Sequence, residues 1–330
     1  MIRGIVAVML LLAGGCIDTK KIAVKTTAEV LTRGQRAMKM ESDYDLAADA
    51  MPASLKTVES FHTAYPDIRK LTVLLAEGYC QYGSGFVEDE WEVAYLVRQD
   101  DDGALHLARR ATKMYTRCMN YGLELLDRRW TRAMSGKLDE LRTVARAAGA
   151  GDREGLLWLA LGLTSMINMN VDDVAMVSYL PYAQFLLERL VVMDGDAAVI
   201  LGGDDPAARA ALGRKLGDVR GAPKDPVRRA LPHLALGMML TSRGTEVGGN
   251  PERGRRHFQR AIELTGGKFL LARVMLARGY ARVTQNRALF RDTLSEVLRT
   301  DPAVWPDQRL ANEIAHRRAH RYLQLADDWF

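Results

Sequence analysis

From Thr27 to the C-terminus, apolar residues recur almost without a break at three- and four-residue spacing, and this helical period limits the fold more than any other feature. Residues 45–63 set the example, with Leu46, Ala47, Ala50, Leu55, Val58 and Phe61 along one side. The same spacing predicts helices over 71–86, 105–126, 138–148, 156–169, 174–192, 231–241, 252–264, 269–284, 287–299 and 310–330. No run of four or more residues alternates apolar with polar, so no sheet is expected. Composition agrees: aromatic residues make up only 7% of the chain while Leu, Ala, Met and Arg are plentiful, which suits helices better than strands. The run QDDDG over 99–103 reads as a loop, and residues 195–226, rich in Gly, Asp and Ala, read as one long connector interrupted by a short helix over 207–216.

Helix after helix joined by short loops calls for a search for repeats. Trp158-Leu159-Ala160-Leu161-Gly162 matches the opening of a tetratricopeptide unit, and His233-Leu234-Ala235-Leu236-Gly237 repeats it with His in the Trp position. The second-helix pattern, small-x3-large-x2-small, occurs as Ala111/Tyr115/Cys118, as Gly254/Phe258/Ala261 and more loosely as Ala183/Leu187/Leu190. Gly78 falls where the first pair would need a close approach of two helices. A length of 330 residues permits two domains or one array. The register of these matches favours one array: an all-α, tetratricopeptide-like helical-pair solenoid over residues 27–330.

The N-terminus carries a different signal. Arg3 precedes an apolar run from Ile5 to Leu12 and then Ala13-Gly14-Gly15-Cys16. This run is too short to span a bilayer, which takes about 20 residues, and reads as a secretory signal. Cysteine directly after small residues is the lipobox arrangement of bacterial lipoproteins. The expected organisation is therefore a lipoprotein signal peptide over 1–15, a lipidated polar tether over 16–26 with the lipid on Cys16, and the helical array. Ile17 after the cysteine points to the outer membrane. Of the 3 cysteines, Cys80 and Cys118 remain. Both lie on apolar helical faces, where buried free thiols are the ordinary outcome, and an oxidising compartment permits a disulfide.

Four stretches are similar to a known family: LLAEGYCQYGSGFVEDE (74–90), LWLALG (157–162), GGNPERGRRHFQRAIELTGGKFLLARV (248–274) and YARVTQNRALFRDTLSEVL (280–298). They resemble the T component associated with TRAP transporters, the tripartite ATP-independent periplasmic importers. The resemblance implies a periplasmic lipoprotein built of tetratricopeptide-like pairs. It also implies a trimer that binds the transporter's solute-binding subunit, and a hydrophobic passage or groove through each protomer. In place of a short aromatic link before the PHL segment, this chain carries the long 195–226 connector, which has no tyrosine.

Signatures of catalysis do not appear: there is no phosphate-binding G-x-x-x-x-G-K-[ST] loop, no G-x-S-x-G elbow and no H-E-x-x-H helix. Glu313, His316 and His320 share a helical face, but flanking Arg317, Arg318 and Arg321 make that face a solvated basic one rather than a metal site. Glu88-Asp89-Glu90 reads as a charged loop or helix end, not a spaced catalytic pair. Residues 226–330 hold 18 Lys and Arg against 10 Asp and Glu in a chain of net charge +5. That excess reads as solvated helix faces, or as a contact surface for an acidic partner or anionic headgroups. Nucleic acid fits an exported protein poorly.

A curved array offers its concave face for binding. The aromatic and polar residues expected there are Tyr79, Tyr82, Phe86 and Trp91, with Asn168, Asn170, Tyr182 and Tyr280 as a second group; Asn168 and Asn170 could instead cap a helix end, and Trp158 belongs to the core. The expected function is non-catalytic: a lipid-anchored accessory of a TRAP-type system, without metal or cofactor, that binds the solute-binding subunit and a small hydrophobic solute. The alternative is a general envelope scaffold that holds a peptide or helix of an assembly complex.

Overall fold

The computed structural model of the chain describes residues 18–203 and 205–330. The expected signal peptide and Cys16 lie outside the described residues. The fold is 80% helical, with no strand among the described residues. Its first helix, α1 (Thr19–Lys39), already departs from the expected tether, because residues 19–26 are helical. Lys20, Lys21 and Lys25 make this stretch look polar, yet the Asp18 side chain accepts from the Lys21 amide at 3.0 Å and caps it. On the inner side, Val24, Ala28 and Leu31 pack on Ile68, Leu71 and Leu74.

Next come α2 (Tyr44–Ala64), capped by Asp43, and α3 (Arg69–Tyr82). The latter does not stop where the sequence suggested. It runs through a π-helical turn (Gly83–Val87), α4 (Glu88–Glu92) and a second π turn (Val93–Arg98), and is ended by Gln99 at φ 52°. α5 (Asp101–Glu124) starts at once behind its Asp100 cap, so the loop expected over 99–103 shrinks to Gln99 and Asp100. α6 (Arg128–Ser135), α7 (Leu138–Arg146), α8 (Arg153–Met169), α9 (Val174–Val177) and α10 (Leu180–Met193) follow. The connector holds α11 (Ala197–Leu201) and α12 (Pro206–Leu216), the second close to the expected short helix. The chain finishes with α13 (Pro226–Thr241), α14 (Pro251–Leu264), α15 (Leu271–Leu276) leading into a third π turn (Ala277–Ala281), α16 (Arg287–Arg299), α17 (Arg309–Gln324) and α18 (Ala326–Trp329).

Neighbours along the array are α2 with α3, α3 with α5, α5 with α8, α8 with α10, α10 with α13, and α13 with α14. The small-large-small triads face inward as their spacing required: Ala111, Tyr115 and Cys118, then Ala183, Leu187 and Leu190, and both Phe258 and Ala261 are fully buried. Small residues are there because backbones meet. A Cβ on Gly122 of α5 would lie 2.4 Å from the Leu159 amide nitrogen of α8, and one on Gly162 would lie 2.7 Å from the Met119 amide nitrogen. No side chain fits between these helices without separating them. α17 then returns to contact α1 and α2, so the two ends of the array meet.

Cys80 of α3 and Cys118 of α5 form a disulfide. This corrects the expectation of two free thiols: apolar faces that looked like plain core lie against each other across the α3–α5 seam, with Cα atoms 5.3 Å apart.

Candidate functional site

A cleft of about 530 Å³ opens between the start of α2 and the α3–α4 rod. α2 contributes Tyr44, Asp45, Ala48, Asp49 and Pro52; the rod contributes Tyr82, Phe86, Val87 and Glu90, and α5 adds Arg110. The first π turn shapes its floor. A π turn takes one residue more than an α turn and so shifts the side chains that follow it. Its Gly83 lets the rod close on Tyr115, since a Cβ there would sit 2.8 Å from that ring. Phe86 is thereby set against Tyr44 and Tyr82, with centroids 5.1 and 5.8 Å apart. Arg110 lies over the Tyr82 ring and donates to its hydroxyl at 2.6 Å. Asp45 and Asp49, one helical turn apart, are exposed at the rim and carry no ion pair among the described residues. Aromatic floor and charged rim together can recognise a partner by stacking and by charge.

Behind the cleft lies a buried ionic cluster that the sequence reading placed in solvent. Asp89 and Glu92 are fully buried and Arg321 is 6% exposed. Asp89 accepts from Arg317 Nε and Arg321 Nη2, each at 2.6 Å, and from the Tyr44 hydroxyl at 3.3 Å. Glu92 accepts from Arg321 and from the Tyr322 hydroxyl, and Arg278 stands 3.4 Å away. Glu88 accepts from the Tyr115 hydroxyl. Burial would push all three carboxyls up. For Asp89 the charge of Arg318 and the bond from Arg321 outweigh burial, and for Glu92 Arg278, Arg318 and Arg321 do, so both are held below the usual carboxylate range. Burial wins at Glu88, whose carboxyl is raised.

Two expectations are corrected here. Glu88-Asp89-Glu90 is neither a charged loop nor a helix end but lies inside a continuous rod. Arg318 and Arg321 are turned away from solvent and, with the exposed Arg317, are the bolts that hold α17 on α4. The spacing of Arg317 and Arg321, one turn apart and next to Tyr322, was the available signal, masked by the surrounding basic residues. His316 donates from Nε2 to the Thr300 carbonyl oxygen at 2.8 Å, and His320 is exposed. Among the described residues no three His, Cys, Asp or Glu side chains are grouped to hold a metal.

The sequence-predicted residues separate into several places. Tyr82 and Phe86 line the cleft. Tyr79 is buried in the α3–α5 seam, stacked on Tyr121 at 6.0 Å with Arg117 over it, and burial with the Glu59 charge pushes its hydroxyl up to about 12. Trp91 is half-buried and stacked face to face on the exposed Tyr95, centroids 5.4 Å apart. Asn170 ends α8, donating to Met166 O at 2.7 Å and to Thr112 Oγ1 at 2.9 Å, while Asn168 is exposed. Tyr182 donates to Gly136 O at 3.0 Å, and Tyr280 to Glu252. Trp158 is core, its Nε1 bonded to Glu154 at 2.6 Å. The cleft residues that sequence reasoning missed are Tyr44, Asp45, Asp49 and Arg110. An aromatic residue followed by two unpaired acids in the first turns of α2 was the signal available.

The family model described as TRAP transporter T-component matches residues 40–217 and 228–330. Residues 218–227, which it passes over, lie at the end of the connector. A curated relative, described as an uncharacterized protein of Treponema pallidum (strain Nichols), is 27% identical over 158 residues. That match takes in 47% of this chain and 48% of the relative, so the chain spans about half the length of the relative it matches. No described helix is long and apolar enough to cross a membrane.

Proposed function

The chain belongs to the TRAP transporter T-component family, and from that premise we propose that it is a non-catalytic, lipid-anchored periplasmic accessory that holds the solute-binding subunit of such a transport system. The observation that carries this reading is the family match over most of the chain. Three features support it. A helical-pair array is a protein-binding architecture whose surface is set by packed helices rather than by mobile loops. The cleft at its first pair offers Tyr44, Tyr82 and Phe86 under a rim of Asp45, Asp49 and Glu90, a suitable seat for a partner's side chain or for a small apolar or amphipathic solute. The Cys80–Cys118 disulfide fits an oxidising compartment, in line with the lipobox at Cys16.

In this reading the lipid on Cys16 ties the array to the outer membrane, to which Ile17 points, and three copies assemble as the family resemblance implies. Affinity would come from burying apolar surface at roughly 25 cal/mol per Å², before the costs of association. Pull-down of the tagged, lipidated chain from detergent-solubilised envelopes tests it: recovery of a TRAP solute-binding protein is expected. Recovery of envelope-assembly factors with no solute-binding protein would instead favour a scaffold role and defeat the proposal.

A further inference from the structure

α1 carries an outward face that the array leaves uncovered. While Val24, Ala28 and Leu31 seal against α3 and its preceding turn, Ile22, Thr26, Val30, Arg33 and Ala37 follow one another at three- and four-residue steps on the opposite side. Ile22 is 52% exposed and Val30 64%. The charge of this helix is one-sided as well: Lys20, Lys21, Lys25, Arg33, Arg36 and Lys39 against Glu29 alone. Some of it is used within the fold. Lys21 pairs with Asp67, Arg36 with Asp307 and Lys39 with Glu77, and Glu29 is met by Lys70. Lys20, Lys25 and Arg33 have no ion pair among the described residues. Nor does the helix itself explain the lysines. Its first turn contains no acid, and cations at a helix N-terminus oppose the macrodipole.

We propose that this face of α1 is a membrane-contact surface that lies on an anionic bilayer, with Ile22 and Val30 entering the headgroup region and Lys20, Lys25 and Arg33 against lipid phosphates. Exposed apolar side chains flanked by unpaired lysines are what an interfacial helix needs, because the lysine stems lie along the apolar boundary while the ammonium groups reach the phosphates. The inference rests on the lipid-anchor reading of Cys16. Only Ile17 separates that cysteine from the Asp18 cap, so an acylated Cys16 sets the start of α1 within about 7 Å of its own attachment point. A bilayer is then the nearest large surface the helix can meet.

The test uses the processed chain, residues 16–330, with Cys16→Ser; it retains every described residue and removes the acyl chain as a source of binding. Cosedimentation is measured at low salt with vesicles of phosphatidylcholine alone and with about 30% phosphatidylglycerol, an anionic surface of the kind that attracts basic segments. The expected result is binding to the anionic vesicles only, weakened at least about 30-fold in Lys20→Glu/Lys25→Glu, from about 1 kcal/mol per basic residue lost near a charged surface, with the added glutamates repelled as well. Both lysines are exposed and free of ion pairs, so circular dichroism and melting should match the parent. Equal binding by parent and variant, or none by either, would overturn the proposal. So would self-association abolished by Ile22→Ser/Val30→Ser without vesicle binding, which would assign the face to a second copy. Because no partner protein enters this assay, its failure leaves the receptor-binding proposal untouched, and a failed pull-down leaves this one untouched.

Discussion

Removing the Cys80–Cys118 disulfide should lower stability by about 4 kcal/mol. The two cysteines are 38 residues apart in sequence, and the chain-entropy relation for cross-links, which gives about 3 kcal/mol for a 15-residue loop and about 4.7 for 100 residues, places this loop between them. The bond also joins α3 to α5 at the centre of the first pairs, where Cys118 is fully buried, so its loss is felt by the core and not by a loop. The perturbation is Cys80→Ala/Cys118→Ala in the Cys16→Ser background, compared with the parent by urea unfolding; the midpoint should fall, with a slope no shallower than the parent's because the chain without the cross-link exposes more surface when unfolded. The parent should release no free thiol to a thiol-specific reagent, native or in denaturant. Two titrating thiols in the denatured parent, or a stability change below about 1 kcal/mol, would refute the reasoning.

Other expectations follow from the buried cluster, the helix seam and the cleft. Asp89→Asn removes a buried charge that faces Arg317 and Arg321 and should cost up to about 3 kcal/mol, read as a lower melting temperature, since the buried Arg321 keeps only Glu92 as its carboxylate partner. Because Asp89 and Glu92 are held below the usual carboxylate range, their contribution is complete above the unfolded value of about 4 and is lost as pH falls through the depressed folded values. Stability measured by denaturant titration should therefore drop on acidification, with a shallower slope in Glu92→Gln. Gly162→Val should cost at least about 1–3 kcal/mol by forcing α5 and α8 apart, whereas the same change at the open Gly213 should cost far less. Asp45→Lys/Asp49→Lys, both exposed, should leave melting within about 0.5 kcal/mol of the parent yet change receptor capture if the cleft is the seat of binding.

The helical array was legible in the sequence because burial imposes a period, and period survives variation in detail. Ala111/Tyr115/Cys118 and Gly254/Phe258/Ala261 announced their faces by spacing alone. What spacing could not convey was partnership across distance. Arg321 and Asp89 are 232 residues apart, and neither residue's neighbours in sequence mark it as buried; only the closure of α17 on α4 buries Arg321 and brings Arg318 and the exposed Arg317 onto the buried Asp89. The disulfide was open for the same reason, since two cysteines on apolar faces look alike whether or not those faces meet. Of the expected binding residues, Tyr82 and Phe86 share a cleft as their four-residue spacing allows, but its other wall, Tyr44, Asp45 and Asp49 of α2, belongs to a helix whose pairing their spacing does not reveal. Tyr79, Tyr182, Asn170 and Tyr280 were aromatic or polar breaks in an apolar pattern that turned out to hold helices to one another. The lysines of α1 were read as a tether because polar residues dominate its first turns, while the cap at Asp18 and the inner stripe that make it a helix occupy only a few positions.

The central claim, that this chain holds a TRAP solute-binding subunit, is tested most directly by isothermal titration of a purified TRAP solute-binding protein of the same organism into the processed chain. The account predicts a saturable complex whose affinity is weakened in Asp45→Lys/Asp49→Lys. Absence of any binding heat, with no complex in sedimentation of the same mixture, would contradict it.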